Sequence, residues 1–285
     1  MGQGILSLFK VAAHSAAILL PVLLSSCGDN PANIQKSESP TRIMSLDYCA
    51  DQYVLKFADR QHILALSPHA TADFSYMRDS AVGLPTIRPV AENILIMNPD
   101  LVVRTYGGGP NVTAFLERAG IPVLNVGWTN TIDDVVINIE RLSSALGSAE
   151  EGRATIADMR QRLDRARLSE QSVTTLYMTP AGVTTGPGSL VHELITAAGL
   201  SNFQDEPGWR SLPLERLAYE KPDLVAAAFF GTLTNHPDAW SPSNHPVAQA
   251  QMTNSDLVPI EGAWTACGGW FLVDAVEALS EAAQP

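Results

Sequence analysis

Two glutamates stand at matching places in this chain. Glu92 is followed by six residues and then Pro99-Asp100-Leu101-Val102; Glu215 is followed by six residues and then Pro222-Asp223-Leu224-Val225. A carboxylate in the first turn of a helix complements the helix dipole, worth roughly 0.3–1 kcal/mol. A single glutamate there would need no further explanation. Two of them, at identical spacing before a proline that ends each helix, suggest a shared task as well.

Other residues that could do chemistry are not arranged to do it. Gly107-Gly108-Gly109 lacks the surrounding pattern of a dinucleotide or phosphate loop. No Gly-x-Ser-x-Gly nucleophile elbow occurs. His192-Glu193 is not followed by the second histidine of a zinc-protease helix. His69, His236 and His245 fall in expected loops and could ligate a bare metal ion, although no spacing supports it. The alternatives kept open are a lipoprotein that binds a free metal ion and a lipoprotein enzyme on the same scaffold. No catalytic residue and no cofactor is expected.

The elements that position the glutamates alternate. Arg42–Leu46, His62–Leu66, Asp100–Val103 and Pro122–Val126 read as buried strands, and Ala50–Phe57, Ala91–Met97 and Asn111–Ala119 as helices. Thr131 caps a long amphipathic helix whose Ile132, Val135, Val136, Ile139, Leu142 and Leu146 share one face. Gly147 and Gly152 bracket an expected break before a charged helix from about Ala154 to Leu168. The second half repeats the pattern. Val173–Tyr177, Asp223–Ala227 and Leu257–Ile260 read as strands, and Ser189–Ala198, Leu214–Tyr219 and Phe271–Ala282 as helices. The fold class is α/β: two Rossmann-like lobes joined by a long α-helix, with a ligand cleft between them. The boundaries are 41–148 for the first lobe, 149–170 for the linker helix and 171–285 for the second lobe.

The paired Glu…Pro-Asp-Leu-Val units, the Gly120-Ile-Pro-Val strand entry and the charged mid-chain helix resemble one family. It is the helical-linker class of binding proteins that serve ABC importers, carrying cobalamin, ferric siderophores or haem. The resemblance covers about Thr41 to Ala282. It implies an extracytoplasmic substrate-binding component that delivers a metal chelate to a permease. Glu92 and Glu215 would then dock on permease arginines, one per lobe, since carboxylate–guanidinium pairs fix register as well as attract. Trp209 and Trp264 occupy positions similar to cleft tryptophans of the cobalamin carriers. Tyr106 should line the opposite wall, and Arg104, Arg210 and Arg88 lie where they could pair with anionic groups of a ligand. The tryptophan that cobalamin carriers place six residues before the first glutamate is Thr86 here, which leaves siderophore and haem open.

The N-terminus carries an address. Lys10 precedes an apolar run of about 14 residues, the length of a signal-peptide core and short for a membrane span. The run ends in Leu24-Ser25-Ser26-Cys27, which resembles a lipobox. Residues 1–26 are expected to be a signal peptide, Cys27 the lipidated residue, and 27–40 a flexible tether. The protein is expected to be periplasmic or extracytoplasmic, anchored by lipid and monomeric. Its net charge of -12 argues against nucleic acid as a partner, because neutralising phosphates needs clustered Lys and Arg.

Cys49 and Cys267 remain. They lie at strand-to-helix turns of different lobes, 218 positions apart (267 minus 49). Three readings stand: a disulfide linking the lobes, two free thiols of lowered pKa at helix starts, or two unrelated buried cysteines.

Overall fold

Short apolar strands assemble into two parallel sheets of four strands each. The computed structural model describes residues 39–167, 173–228 and 241–284. The first half runs β1 (Ile43–Ser45), α1 (Tyr48–Phe57), β2 (Ile63–Ala65), α2 (Arg78–Ala81), α3 (Ala91–Met97), β3 (Leu101–Arg104), α4 (Val112–Arg118) and β4 (Val123–Asn125). Its sheet order is β2-β1-β3-β4. Two helices follow, α5 (Ile132–Ala145) and α6 (Ala149–Ala166). The second half runs β5 (Thr174–Met178), β6 (Val183–Thr185), α7 (Leu190–Ala197), β7 (Ser201–Asn202), β8 (Trp209–Ser211), α8 (Leu214–Leu217), β9 (Leu224–Ala227), α9 (Pro246–Asn254), β10 (Asp256–Pro259), α10 (Gly262–Thr265) and α11 (Leu272–Ala282). Its sheet order is β10-β9-β5-β7, and β6 pairs with β8 in a separate antiparallel ribbon. The architecture is α/β and two-lobed.

The repeated Pro-Asp has a structural reason of its own. Asp100 accepts hydrogen bonds from the backbone N–H groups of Thr41 (2.9 Å) and Arg42 (3.0 Å). Asp223 accepts from Thr174 N–H and Thr174 Oγ1, both at 2.8 Å. Each aspartate thus holds the start of the strand beside its own: β1 lies parallel to β3, and β5 to β9. These bonds hold the Asp223 carboxyl below the usual carboxylate range.

Strand alternation sorts the core into three parts. Met44 and Val102 face a cluster confined to the first lobe, with Ile94, Val112 and Leu116. Leu176 and Val225 face one confined to the second, with Phe203, Leu217 and Ala248. The alternate residues Ile43, Val103, Tyr177 and Ala226 face a third cluster that runs through both lobes by way of Ile139, Leu142, Met159, Leu194, Leu272 and Val276. The lobes therefore share one body of buried apolar side chains.

The linker differs in detail from the sequence expectation. Gly147, in the left-handed region at φ +86°, does end α5. Helix α6, however, starts at Ala149 and runs straight through Gly152. A Cβ on Gly152 would lie 1.9 Å from Ser143 Oγ. That glycine serves close packing of α6 on α5, not a break. Helix α6 also packs on α11, so it touches both lobes. Among the described residues no helix is long and apolar enough to cross a membrane. Residues 1–38, with the expected signal segment and Cys27, lie outside the described residues.

One buried acid predicts a pH dependence. Asp51 is fully buried and accepts from Ser67 N–H (3.0 Å) and Ser67 Oγ (2.5 Å). Burial pushes its pKa up to about 6, against the opposing pull of those bonds. The folded state therefore holds this proton over a range, about pH 4 to 6, where the unfolded chain releases it. The resulting contribution favours folding at low pH and is lost as pH rises through 6. Asp51→Asn keeps both contacts to Ser67 and removes the charge. It should gain about 2–3 kcal/mol over wild type at pH 8 and about half of that at pH 5. Urea unfolding at the two pH values measures this, and an equal difference at both would refute it.

Candidate functional site

The C-terminal ends of parallel strands are where loops converge in α/β folds, and ligands bind there. Here those ends border a cavity of about 650 Å³. Tyr48, just after β1, and Phe74, in the loop after β2, line it from the first lobe. From the second lobe come Tyr177 and Thr179 at the end of β5, Val183 in β6 and Trp209 in β8. Thr265 and Ala266, beyond β10, complete it.

The wall is aromatic. Tyr48 meets Phe74 edge-on with centroids 4.8 Å apart; Tyr106 is not itself in the wall but backs it, meeting Tyr48 at 5.9 Å. Tyr177 meets Trp209 at 6.1 Å. Trp209 is 59% exposed, so most of its indole is free to take a flat partner. Among the described residues no charged side chain lines the cavity. Burial raises the Tyr177 phenol to about 12, so it stays neutral at physiological pH. Such a wall offers stacking surface and hydroxyls.

Tyr106 owes its place to backbone chemistry. Asp47 Oδ2 accepts from the N–H groups of Thr105 (2.7 Å), Tyr106 (3.0 Å) and Gly107 (2.8 Å). Its Oδ1 caps α1 through Ala50 N–H. Gly107 must be glycine, since a Cβ would stand 2.2 Å from Leu46 O. The Asp47 latch thus seats Tyr106 against Tyr48.

The remaining candidates go elsewhere. Arg104 is buried and donates to Gly107 O (2.8 Å), Thr113 Oγ1 (2.9 Å) and Gly109 O (3.2 Å). It builds the glycine loop and has little guanidinium left for a ligand. Trp264 is half-buried against the shared core and is absent from the cavity wall. Arg210 follows Trp209 in β8, so its side chain leaves from the opposite face. It sits 3.5 Å from Glu206 and lines a second, open recess of about 710 Å³ that includes Glu215 and Arg216. Arg88 is exposed just before α3. Glu92 and Glu215 are exposed in the first turns of α3 and α8. Neither carboxylate has a hydrogen bond or ion pair among the described residues. No group of three or more His, Cys, Asp or Glu side chains placed to hold a metal occurs among them either. His236 lies outside them.

Behind the cavity the lobes are bolted together. Cys49 and Cys267 form a disulfide with Cα atoms 5.4 Å apart. Around it, Tyr53 Oη donates to Gly268 O (2.8 Å), and Trp270 packs edge-on to Tyr53 and Phe57. Tyr76 stacks on Phe271 at 4.5 Å and donates to Asp274 (2.9 Å). Arg162 of α6 donates to Asp274 (2.6 Å) and Glu277 (2.9 Å), holding the Glu277 carboxyl below its usual range. First lobe, linker and second lobe meet at this joint.

Sequence reasoning missed Tyr48, Phe74 and Tyr177. Their place at strand ends was the available signal for Tyr48 and Tyr177. Phe74 had none, since it sits within an irregular loop.

An α/β chain of two lobes with an aromatic cavity at its strand ends is a solute-binding architecture. Residues 67–230, more than half of the chain, match the periplasmic binding protein family, and the chain belongs to it. An ABC transporter substrate-binding lipoprotein of Bacillus subtilis, YvrC, is 21% identical over 97% of this chain and 98% of its own. A vitamin B12-binding protein of Vibrio cholerae is 25% identical over 62% of this chain and 73% of its own. Among solved structures, a periplasmic haem-binding protein from Pseudomonas aeruginosa superposes with a TM-score of 0.67 at 22% identity, covering 85% of this chain and 92% of the other. The haem-binding protein HutB of Vibrio cholerae gives 0.70 at 18%, covering 86% and 99%. These likenesses establish the shared fold.

Proposed function

We propose that this chain is the extracytoplasmic substrate-binding component of an ABC importer and carries a metal chelate of the siderophore, cobalamin or haem type. The observation that carries this reading is the cavity, walled by aromatic rings from both lobes and, among the described residues, without a charged side chain. Flat ring systems gain most from such walls, because aromatic side chains supply large contact area at low entropy cost. A chelate would bury its uncharged face here and leave anionic groups towards solvent. Trp209 and Tyr106 are the proposed contacts. Residues 41–148 and 171–285 act as the ligand-holding lobes and 149–170 as their linker. Glu92 and Glu215 seat the protein on the permease, and a lipid on Cys27 tethers it at the membrane; the Bacillus relative, itself called a lipoprotein, supports that anchor.

Titration with cobalamin, haemin and a ferric catecholate tests the ligand, since each has its own absorption band and each should quench Trp209 on binding. Trp209→Ala should weaken the bound chelate by about 2 kcal/mol, roughly 30-fold. Absence of binding to all three, or conversion of the ligand to a product, would refute the reading. An unchanged affinity in Trp209→Ala would remove the indole from the site.

A further inference from the structure

Ile96 and Tyr219 stand out among the large apolar side chains. Ile96 is 82% exposed and Tyr219 92%, and among the other described residues only Trp128 exceeds 80%. Each lies four residues after its glutamate and three before its proline, the same position in both repeats. Single exposed apolar residues are ordinary. Recurrence at one position of two diverged repeats calls for a cause, since no residue between Glu and Pro is identical in the two. Two residues after each glutamate, Ile94 and Leu217 are both buried, so the helices present the same faces.

Residues four apart on a helix share a face. Helix α3 contains both Glu92 and Ile96. In the second lobe the turn continues past α8, with Tyr219 N–H and Glu220 N–H both donating to Arg216 O. Tyr219 therefore stands one turn beyond Glu215. The neighbouring guanidiniums are committed elsewhere: Arg216 to Glu220 (2.7 Å) and Phe203 O (2.6 Å), Arg210 to Glu206. Each lobe thus offers a carboxylate, unpaired among the described residues, beside an exposed apolar side chain.

We infer that Ile96 and Tyr219 are the apolar anchors of the permease-docking surface, each entering a socket beside the cation that meets the adjacent glutamate. The occupant is the extracytoplasmic face of the importer's permease. Charge complementarity argues for it: an acidic protein with two free carboxylates calls for a partner with two cations in register. Charges of this kind govern the encounter, whereas buried apolar anchors govern how long it lasts. The inference rests on the docking role proposed for the glutamates.

The test uses the full chain and the ABC permease that supports uptake with it, held in lipid nanodiscs, with association and dissociation followed at several salt concentrations. Ile96→Ser with Tyr219→Ser should speed dissociation at least tenfold. Its association rate, the salt dependence of that rate and its melting temperature should stay at wild-type values. Glu92→Ala with Glu215→Ala should slow association and flatten its salt dependence. If the serine pair dissociates like wild type while the alanine pair is impaired, docking by the glutamates stands and the anchors are refuted. If neither pair alters binding, the docking surface itself is wrong. Sedimentation of the wild-type chain as a dimer that the serine pair dissociates would hand these side chains to a second copy and overturn the inference.

Discussion

Replacing Cys49 and Cys267 together by serine is expected to lower the stability of the folded chain by about 5 kcal/mol. The bridge closes a loop with a sequence separation of 218, so in the chain-entropy account it restricts the unfolded ensemble severely. Little of the folded state should change, because the joint around the bridge has its own contacts in Trp270, Phe271 and Arg162. The cavity should still respond. Tyr48 and Ala266 line it, and each is the direct neighbour of a bridged cysteine. Without the bridge these two wall residues, one from each lobe, lose a covalent constraint, so the bound ligand should leave faster. Urea unfolding of oxidised wild type and variant gives the first quantity, stopped-flow ligand release gives the second, and small-angle scattering with and without ligand shows whether the lobes loosen. Wild type should keep one scattering profile, while the variant should compact on binding. A stability loss below about 1 kcal/mol would remove the bridge from any structural role, and alkylation of both cysteines without reductant would deny that it forms.

The second large effect concerns transport. With Glu92→Ala and Glu215→Ala combined, uptake into cells or vesicles should fall at least a hundredfold, and each single change should cost roughly tenfold. Truncating one partner of a desolvated charge pair costs about 2–5 kcal/mol, because the other charge is left without its counterpart. Ligand affinity of the isolated protein should not move. Neither glutamate lines the aromatic cavity, and neither has an internal partner to release among the described residues. Weakened ligand binding together with normal uptake would assign the glutamates to the ligand and end the docking proposal.

Much of the scaffold could be read along the chain. The spacing of Val135, Ile139 and Leu142 marks a helix with one buried face because helix periodicity is a local property. Thr131 announces its start, and its side chain does accept from Asp134 N–H. Each Pro-Asp pair marks where a helix gives way to a strand, since proline lacks the N–H a helix would use. The repeat of that signal in both halves was enough to indicate two α/β lobes.

What the chain could not disclose was where side chains go once elements pack. Trp209 and Trp264 looked equivalent in sequence. One stands on an exposed three-residue strand too short to show alternation, and the other packs against the shared core. Arg104 looked available to a ligand, yet the backbone carbonyls of a glycine loop claim its guanidinium. Gly152 looked like a break until a second helix lay against it. Cys49 and Cys267 allowed three readings, and only the meeting of two distant turns chose among them. Local pattern records which face of an element avoids water; which surface then covers that face depends on contacts between residues far apart in the chain, and these exist only in the folded molecule.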